Sequence, residues 1–477
     1  MKRVIRWYDY LTINIYWFAL TTRSQVLVSL IIPLLVQHYV GESAKGTYVG
    51  TMRLWALMVA LLVQALMGLL SDRSTLRWGR RRPFILVGSV SQVAVLVFIG
   101  YSAGLEGMTG YWVLFALYIL SMVSSDTAHA ATQGLIPDLV PEEKRGRFSG
   151  VKALLELPIP LIFTSMVVAR LVEAGNIWGA LAAVMIVLVF CAAVTMTVRE
   201  ERLEKVPFAI DWVPFIRLLL MTAAFTAIIL AMGGLVRAIL RYTAGMEGTG
   251  ALVVMGVTGL LAMVAAIGLG VWISMRVGVG QEIRDRTSFT WWVVLRLAFM
   301  VPAVNLGGFI IYFLQERFAG LGAEKAAGPA AQAVMFVGIF ILIFALPGGW
   351  LADRFGRKPL VAISGVVAAL GTGIVIAFPN LTATYVGSCL IGAGTGLFYA
   401  ANWALGTDLV PREQAARYLG LSNLAGAGAG AIGAYIGGPI ADSRGYVLLY
   451  AIYGALFILS AVPLLAIQER RSARAAG

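Results

Sequence analysis

Fourteen apolar runs of about twenty residues, separated by short charged or glycine-rich islands, constrain this chain more than any other feature of it. A run of that length crosses a hydrocarbon core of about 30 Å as a helix, because in lipid each backbone N–H and C=O has to be satisfied within its own segment. The expected fold is an all-α polytopic membrane protein. Composition agrees: 60% hydrophobic against 13% charged residues leaves too little charge to solvate the surface of a 477-residue soluble chain. The first run follows MKRVIRWYDY with no small-residue cleavage site after it, so an uncleaved first span is expected.

The runs fall at about 14–37, 51–70, 84–104, 111–137, 148–171 and 177–198, then 214–237 and 250–275, then 289–314, 331–351, 360–378, 383–407, 416–439 and 447–467. This is six, two and six. It predicts an N-terminal six-helix bundle over 1–198, a linker with two extra transmembrane helices over 199–288, and a C-terminal six-helix bundle over 289–477. With the N-terminus placed inside, 25 of the 37 Lys and Arg residues fall on the cytoplasmic side and seven outside, as the positive-inside rule requires. Both termini are then cytoplasmic, and the expected location is the plasma (inner) membrane. The net charge of +13 has this topological origin, so no nucleic-acid partner is expected.

Several chemistries are excluded. Cys191 and Cys389 both lie inside apolar runs, which removes a disulfide framework and a cysteine metal cluster. His38 and His129 are too few and too far apart for a zinc hydrolase site. GAGAIG, Gly428 to Gly433, fits GxGxxG but lies inside a span, where small residues serve helix packing, and GESAKGT lacks the ending of a phosphate loop. No catalytic residue, metal or cofactor is expected, and the chain does not read as an enzyme.

Two motifs repeat in the same order. GLLSDRSTLRWGRRRP, Gly68 to Pro83, returns as GWLADRFGRKP, Gly349 to Pro359, and DLVPEEKRGRFSG, Asp138 to Gly150, returns as DLVPREQAARYLG, Asp408 to Gly420. The six-helix unit is therefore duplicated, as parallel repeats about an axis along the membrane normal. The DRxGR pattern at both sites resembles the signature loop of the major facilitator superfamily. SDRSTLRWGRRRPFI, Ser71 to Ile85, is similar to the same loop of sucrose:proton symporters, and DTAHAATQG, Asp126 to Gly134, resembles the stretch in which those symporters carry their coupling aspartate. The resemblance implies that Asp126 couples to protons. The related glycoside, pentoside and hexuronide cation symporters carry aspartates shortly before the loop; Gln64 and Ala65 stand there here, so a sodium site of their type is not implied. His129 and Ala130 replace the Asn pair of the sucrose symporters, so sucrose itself is not implied either.

Position gives the residues further meaning. Asp126 falls near mid-membrane, where an ionised carboxylate is costly and usually marks an ion or substrate path. His129 and Gln133 share its helix face, and Lys152 and Glu156 on the next, antiparallel helix fall at matching depth. A polar seam of Asp126, His129 and Glu156 for proton coupling is the expectation, with Arg23 at comparable depth as another counter-charge. Candidate substrate contacts are Arg23, Gln25, Gln64, Gln133, Lys152, Asn305, Asn402 and Trp403; Arg296 and Asn423 are further polar residues of the second half, in which Gly396 occupies the counterpart of Asp126. Asp72, Arg73, Arg80, Asp353, Arg354 and Arg357 are expected to form a conformational latch facing the neighbouring half.

The expected function is secondary transport by alternating access, a proton-coupled symport of a sugar or glycoside driven by the proton motive force, by a monomer whose partners are a small molecule and the lipid bilayer. Two alternatives stay open: transport of an amphipathic drug-like or lipid molecule, and a non-transporting sensor or scramblase on the same scaffold.

Overall fold

The computed structural model describes residues 6–200, 212–246, 248–278, 287–318, 320–409 and 415–467, with the side chains of 407, 408 and 415–425 outside the description. Thirteen helices among the described residues are long and apolar enough to span a membrane: α1 (Asp9–Val40), α2 (Lys45–Asp72), α3 (Arg82–Ser102), α4 (Gly107–Leu139), α5 (Glu142–Glu173), α6 (Ile177–Met196), α7 (Val213–Tyr242), α8 (Thr249–Val277), α9 (Thr287–Arg317), α10 (Ala327–Phe355), α11 (Arg357–Ala377), α12 (Leu381–Gly406) and, as α14, Tyr446–Ala466. Between the last two lies α13 (Ala415–Arg444), a thirty-residue helix that completes fourteen. The protein is thus an all-helical integral membrane protein. Several helices outrun the apolar windows; α5 begins at Glu142 rather than 148, because polar turns beyond the hydrocarbon remain helical.

Two compact units divide the chain. The first comprises 1–216 with 308–338, and the second 217–307 with 339–477. In the first, α4 packs against α2 and α3 and touches α1 and α5. Both α1 and α5 carry a single π-helical turn, Leu27–Ile31 and Thr164–Val168, and α5 is also broken at Leu157, before Pro158. In the second unit the added pair is docked by shape. Phe225 of α7 lies against Gly270 of α8 and Gly428 of α13, while Tyr435 of α13 lies against Gly233 of α7, each aromatic occupying space that a Cβ would fill. The GAGAIG stretch is thus a packing surface, with Gly428 under Phe225 and Gly433 under Asn305.

The duplication extends to single contacts. Gly79 and Gly356, the glycines of the two DRxGR loops, both adopt positive φ, 109° and 93°, which turns the chain into α3 and α11. In the first unit Gly88 of α3 lies within 2.7 Å, by its would-be Cβ, of the Ser124 carbonyl of α4. Counting from the motifs, their counterparts are Ser364 and Gly394, where the glycine has changed sides and meets the Ser364 carbonyl at the same 2.7 Å. The counterpart of Asp126, Gly396, sits against the Ile341 backbone, so no side chain fits there.

Candidate functional site

One face of α4 organises the first unit's polar interior. Tyr118, Met122, Asp126, His129 and Gln133 follow at intervals of three and four and so line up along the helix. Asp126 lies thirteen residues from Leu139, about 20 Å along the axis. Its carboxylate Oδ1 is 3.4 Å from His129 Nδ1, and its side chain is 14% exposed. On the other edge of the imidazole, Gln133 Nε2 approaches His129 Nε2 at 3.1 Å. The two ring nitrogens thus face different partners, Nδ1 the Asp126 carboxylate and Nε2 the Gln133 amide.

The seam between α4 and α5 closes through a residue of α1. The Trp17 indole meets the His129 ring edge-on, with centroids 5.3 Å apart, and Lys152 Nζ stands 3.7 Å over the same indole. Lys152 also pairs with Glu156 at 3.5 Å. Asp126, His129, Gln133, Lys152 and Glu156 are therefore brought together, with Trp17 as the bridge. Glu156 is the last helical residue before the break at Leu157, so it ends the stiff part of α5.

One turn back along α4 from Asp126, beside Ser121 and Met122, Arg23 of α1 is buried at 3% exposure. It donates Nη2 to Ser121 Oγ and Nη1 to Met122 Sδ at 3.8 Å, whereas its Nε has no hydrogen-bond partner. Gln92 of α3 holds Ser121 in turn, Nε2 to Oγ at 2.9 Å. The charge of Asp126 and the phenols of Tyr16 and Tyr118 are the electrostatic neighbours of Arg23. Arg53 of α2, also buried, packs over the Phe309 ring at 5.9 Å and, like Arg23, acts on Tyr118.

The other candidate contacts are dispersed. Gln25 and Gln64 are half-buried, and Gln25 accepts a long bond, 3.5 Å, from Ser29 of its own helix. Asn305 is wholly buried and donates Nδ2 to Val301 O at 2.8 Å and Ala429 O at 3.1 Å, which makes it a tie between α9 and α13. Asn402 is buried and takes the Trp292 indole N–H on its backbone carbonyl at 3.2 Å, while Trp403 is 54% exposed. Arg296 packs over Trp292, and the Asn423 side chain lies outside the described residues.

At the basic end of the first unit, Arg81 is the hub. It pairs with Asp72 and, through Nε at 3.0 Å, with Asp138, and it donates Nη1 to Ser71 Oγ at 2.6 Å. Arg80 pairs with Asp138 as well. Burial alone would lower the pKa of Arg80, but the hydrogen bond and charge of Asp138, with the charges of Asp72 and Glu200, outweigh it and hold the guanidinium above its ordinary value. Glu200, just past α6, accepts the backbone N–H of Arg81 at 2.8 Å and that of Arg82 at 3.2 Å. Asp72 is thus satisfied within its own unit, and the two repeated motifs are partners. In the second unit Arg357 donates to Ala404 O at 2.8 Å; Ala404 is the counterpart of Gly134, which lies under Arg81. Asp353 and Arg354 are exposed, Arg354 stacks over Trp350 at 5.2 Å, Arg73 is half-buried, and the Asp408 side chain lies outside the described residues. Sequence reasoning passed over Trp17, Arg81, Ser121, Gln92 and Glu200.

Comparison with known proteins adds likenesses to transporters. The model of the Major Facilitator Superfamily matches residues 306–476. A lactose permease of Lactobacillus helveticus is 28% identical over 182 residues, 34% of this chain and 28% of that protein. The multi-drug resistance efflux pump PmrA of Streptococcus pneumoniae is 28% identical over 143 residues, 30% of this chain and 36% of the pump. The chain thus aligns with roughly a third of the length of these curated relatives. Among solved structures, a peptide transporter POT in complex with sulfate has a TM-score of 0.67 at 14% identity, covering 98% of this chain and 96% of that one, which is a likeness of fold.

Proposed function

We propose that this chain, a member of the Major Facilitator Superfamily and so a transporter rather than an enzyme, moves a sugar or glycoside together with a proton by alternating access. The observation that carries proton coupling is Asp126, a partly shielded carboxylate far from either helix end with His129 Nδ1 at 3.4 Å. A carboxylate at that depth is stable when protonated, paired or hydrated, so its charge can change with the conformation around it. His129, oriented by Gln133, lies on the side of Asp126 toward the basic end and offers a proton acceptor there. The match to a lactose permease supports a saccharide as cargo. The equal identity to an efflux pump, together with the commitment of the Asn305 amide to helix packing, favours a second reading, an amphipathic drug-like substrate.

The basic loops support an orientation with both termini cytoplasmic in the plasma membrane, and the proton motive force suffices as energy source. The test is uptake by purified protein in sealed proteoliposomes under an imposed pH gradient, with radiolabelled sugars and an amphipathic dye as parallel probes. Gradient-driven sugar accumulation is expected, and Asp126→Asn should abolish accumulation while sparing exchange of labelled for unlabelled sugar. Dye accumulation alone would favour the second reading. Uptake of neither would point to a sensor or scramblase.

A further inference from the structure

The two copies of the DRxGR loop differ by four residues, and transport gives the extra four no task. In the second copy α10 runs to Phe355 and α11 starts at Arg357, so Gly356 alone makes the turn. In the first copy α2 ends at Asp72 and α3 starts at Arg82, and the longer loop carries Leu76, Arg77 and Trp78 at its tip. Leu76 is 54% and Trp78 65% exposed, and Arg77 is exposed as well. The tip has a defined shape. Gly79 N–H donates to Leu76 O at 3.2 Å, which puts Arg77 and Trp78 at the two corners of a turn, and Leu76 N–H donates to Ser74 Oγ at 3.4 Å. Glu200 backs the turn: a Cβ on Gly79 would lie 2.5 Å from its carboxylate. The three side chains are therefore presented outward by a loop held from behind.

Place and charge identify what meets them. Leu76 stands six residues past the apolar run that ends at 70, within reach of the headgroup layer at that face of the membrane. The start of α1 lies at the same face and exposes Trp7 at 82% and Leu11 at 47%. An indole is favoured in a headgroup layer, where its ring and its N–H meet different media, and an apolar neighbour adds to the insertion. Five arginines stand between 73 and 82 against Asp72 alone. Arg80 and Arg81 pair with Asp138 and Asp72, and Arg82 donates to the Met196 carbonyl, whereas Arg77 forms no ion pair among the described residues. A soluble protein would have to reach this tip at the level of the headgroups, where lipid already stands. We infer that Leu76 and Trp78 enter the boundary between headgroups and acyl chains, and that Arg77 between them binds the phosphate of an anionic phospholipid, two N–H groups to two oxygens. The lipid then grips the loop whose far side, Arg80 and Arg81, ties α2 and α3 to α4. The inference is independent of the cargo.

The full chain in nanodiscs of phosphatidylglycerol and phosphatidylcholine tests this. A nitroxide is attached through Leu76→Cys, with Cys191→Ser and Cys389→Ser removing the native thiols. The label should collide with oxygen, which dissolves in the bilayer, several-fold more often than with a water-soluble nickel chelate, and adding Trp78→Ser should move it toward water. Lipid preference is read separately, as phosphatidylglycerol against phosphatidylcholine retained by the purified protein in native mass spectrometry. The protein should prefer phosphatidylglycerol; Arg77→Gln should weaken its retention by about fivefold, the equivalent of one basic residue at a charged membrane surface, and Arg77→Lys should keep most of it. These changes touch an exposed tip, so the thermal midpoint in detergent should stay where it is. If Arg77→Gln does not fold, the preference of the unsubstituted protein and the position of the label decide. A label that meets the nickel chelate more often than oxygen would overturn the inference and leave the tip to a soluble partner. Retention of phosphatidylglycerol unchanged by Arg77→Gln, or no preference over phosphatidylcholine to begin with, would overturn Arg77 as the phosphate site.

Discussion

Trp17 holds together two polar groups, the Lys152 ammonium over its face and the His129 ring at its flank. A cation over an indole in a shielded site is worth about 1 to 2 kcal/mol, more than over a benzene ring and far more than over an aliphatic chain. Transport should therefore fall in the order Trp17, Trp17→Phe, Trp17→Leu, with folding preserved throughout, as initial rates normalised to protein inserted in proteoliposomes. Equal rates for all three would reduce Trp17 to a space-filler. The partners of Trp17 were legible from sequence by depth and helical phase, since Asp126, His129, Gln133, Lys152 and Glu156 are polar residues in apolar runs. Trp17 was not legible, because an indole within an apolar run looks like any other lipid-compatible residue. Arg81 escaped for another reason: three consecutive arginines are equivalent on paper, and only the turn at Gly79 decides which of them points inward to Asp72 and Asp138.

At the scale of elements, the loop between α2 and α3 is tied to α4 through a space with no slack. A Cβ on Gly134 would collide with the Arg81 guanidinium, which is close-packed over α4. Gly134→Ala should push Arg81 off Asp138 and lower the thermal midpoint in detergent in the same direction as Arg81→Ala, by an amount equivalent to about 1 to 3 kcal/mol for a partly shielded pair losing one partner. The two changes combined should cost little more than Arg81→Ala alone, because both remove one interaction; full additivity would show that Gly134 acts elsewhere. Helix number and order were readable from hydropathy, but helix ends were not, because polar turns such as Glu142 to Arg147 leave the hydrocarbon while staying helical. Nor could hydropathy show how the added helices are anchored, since the sockets for Phe225 and Tyr435 are glycines from helices far apart in sequence.

Across the whole molecule, fourteen helices and the repeated basic loops make one topological statement. An even number of crossings returns the C-terminus to the side of the N-terminus, and the pair α7 and α8 leaves the orientation of the second six helices unchanged. Reporter fusions should then give cytoplasmic signals at both termini and an external signal at the turn around Gly245, between α7 and α8. An internal signal at that turn would mean that the pair does not cross the membrane. The duplication was plain in the sequence from two motifs, whereas the asymmetry built on it, Asp126 in one half and a glycine pressed on backbone in the other, is explained only by packing. The carboxylate that caps the first turn of α3 belongs to Glu200, more than a hundred residues later in the chain. During synthesis, then, Asp72 is already present for Arg81 when α3 enters the bilayer, but the opening amides of α3 receive this cap only when the ribosome has passed the end of α6. The start of the third helix is thus completed by a residue made after the sixth, so a chain that ends short of Glu200 lacks the acceptor for the Arg81 and Arg82 amides.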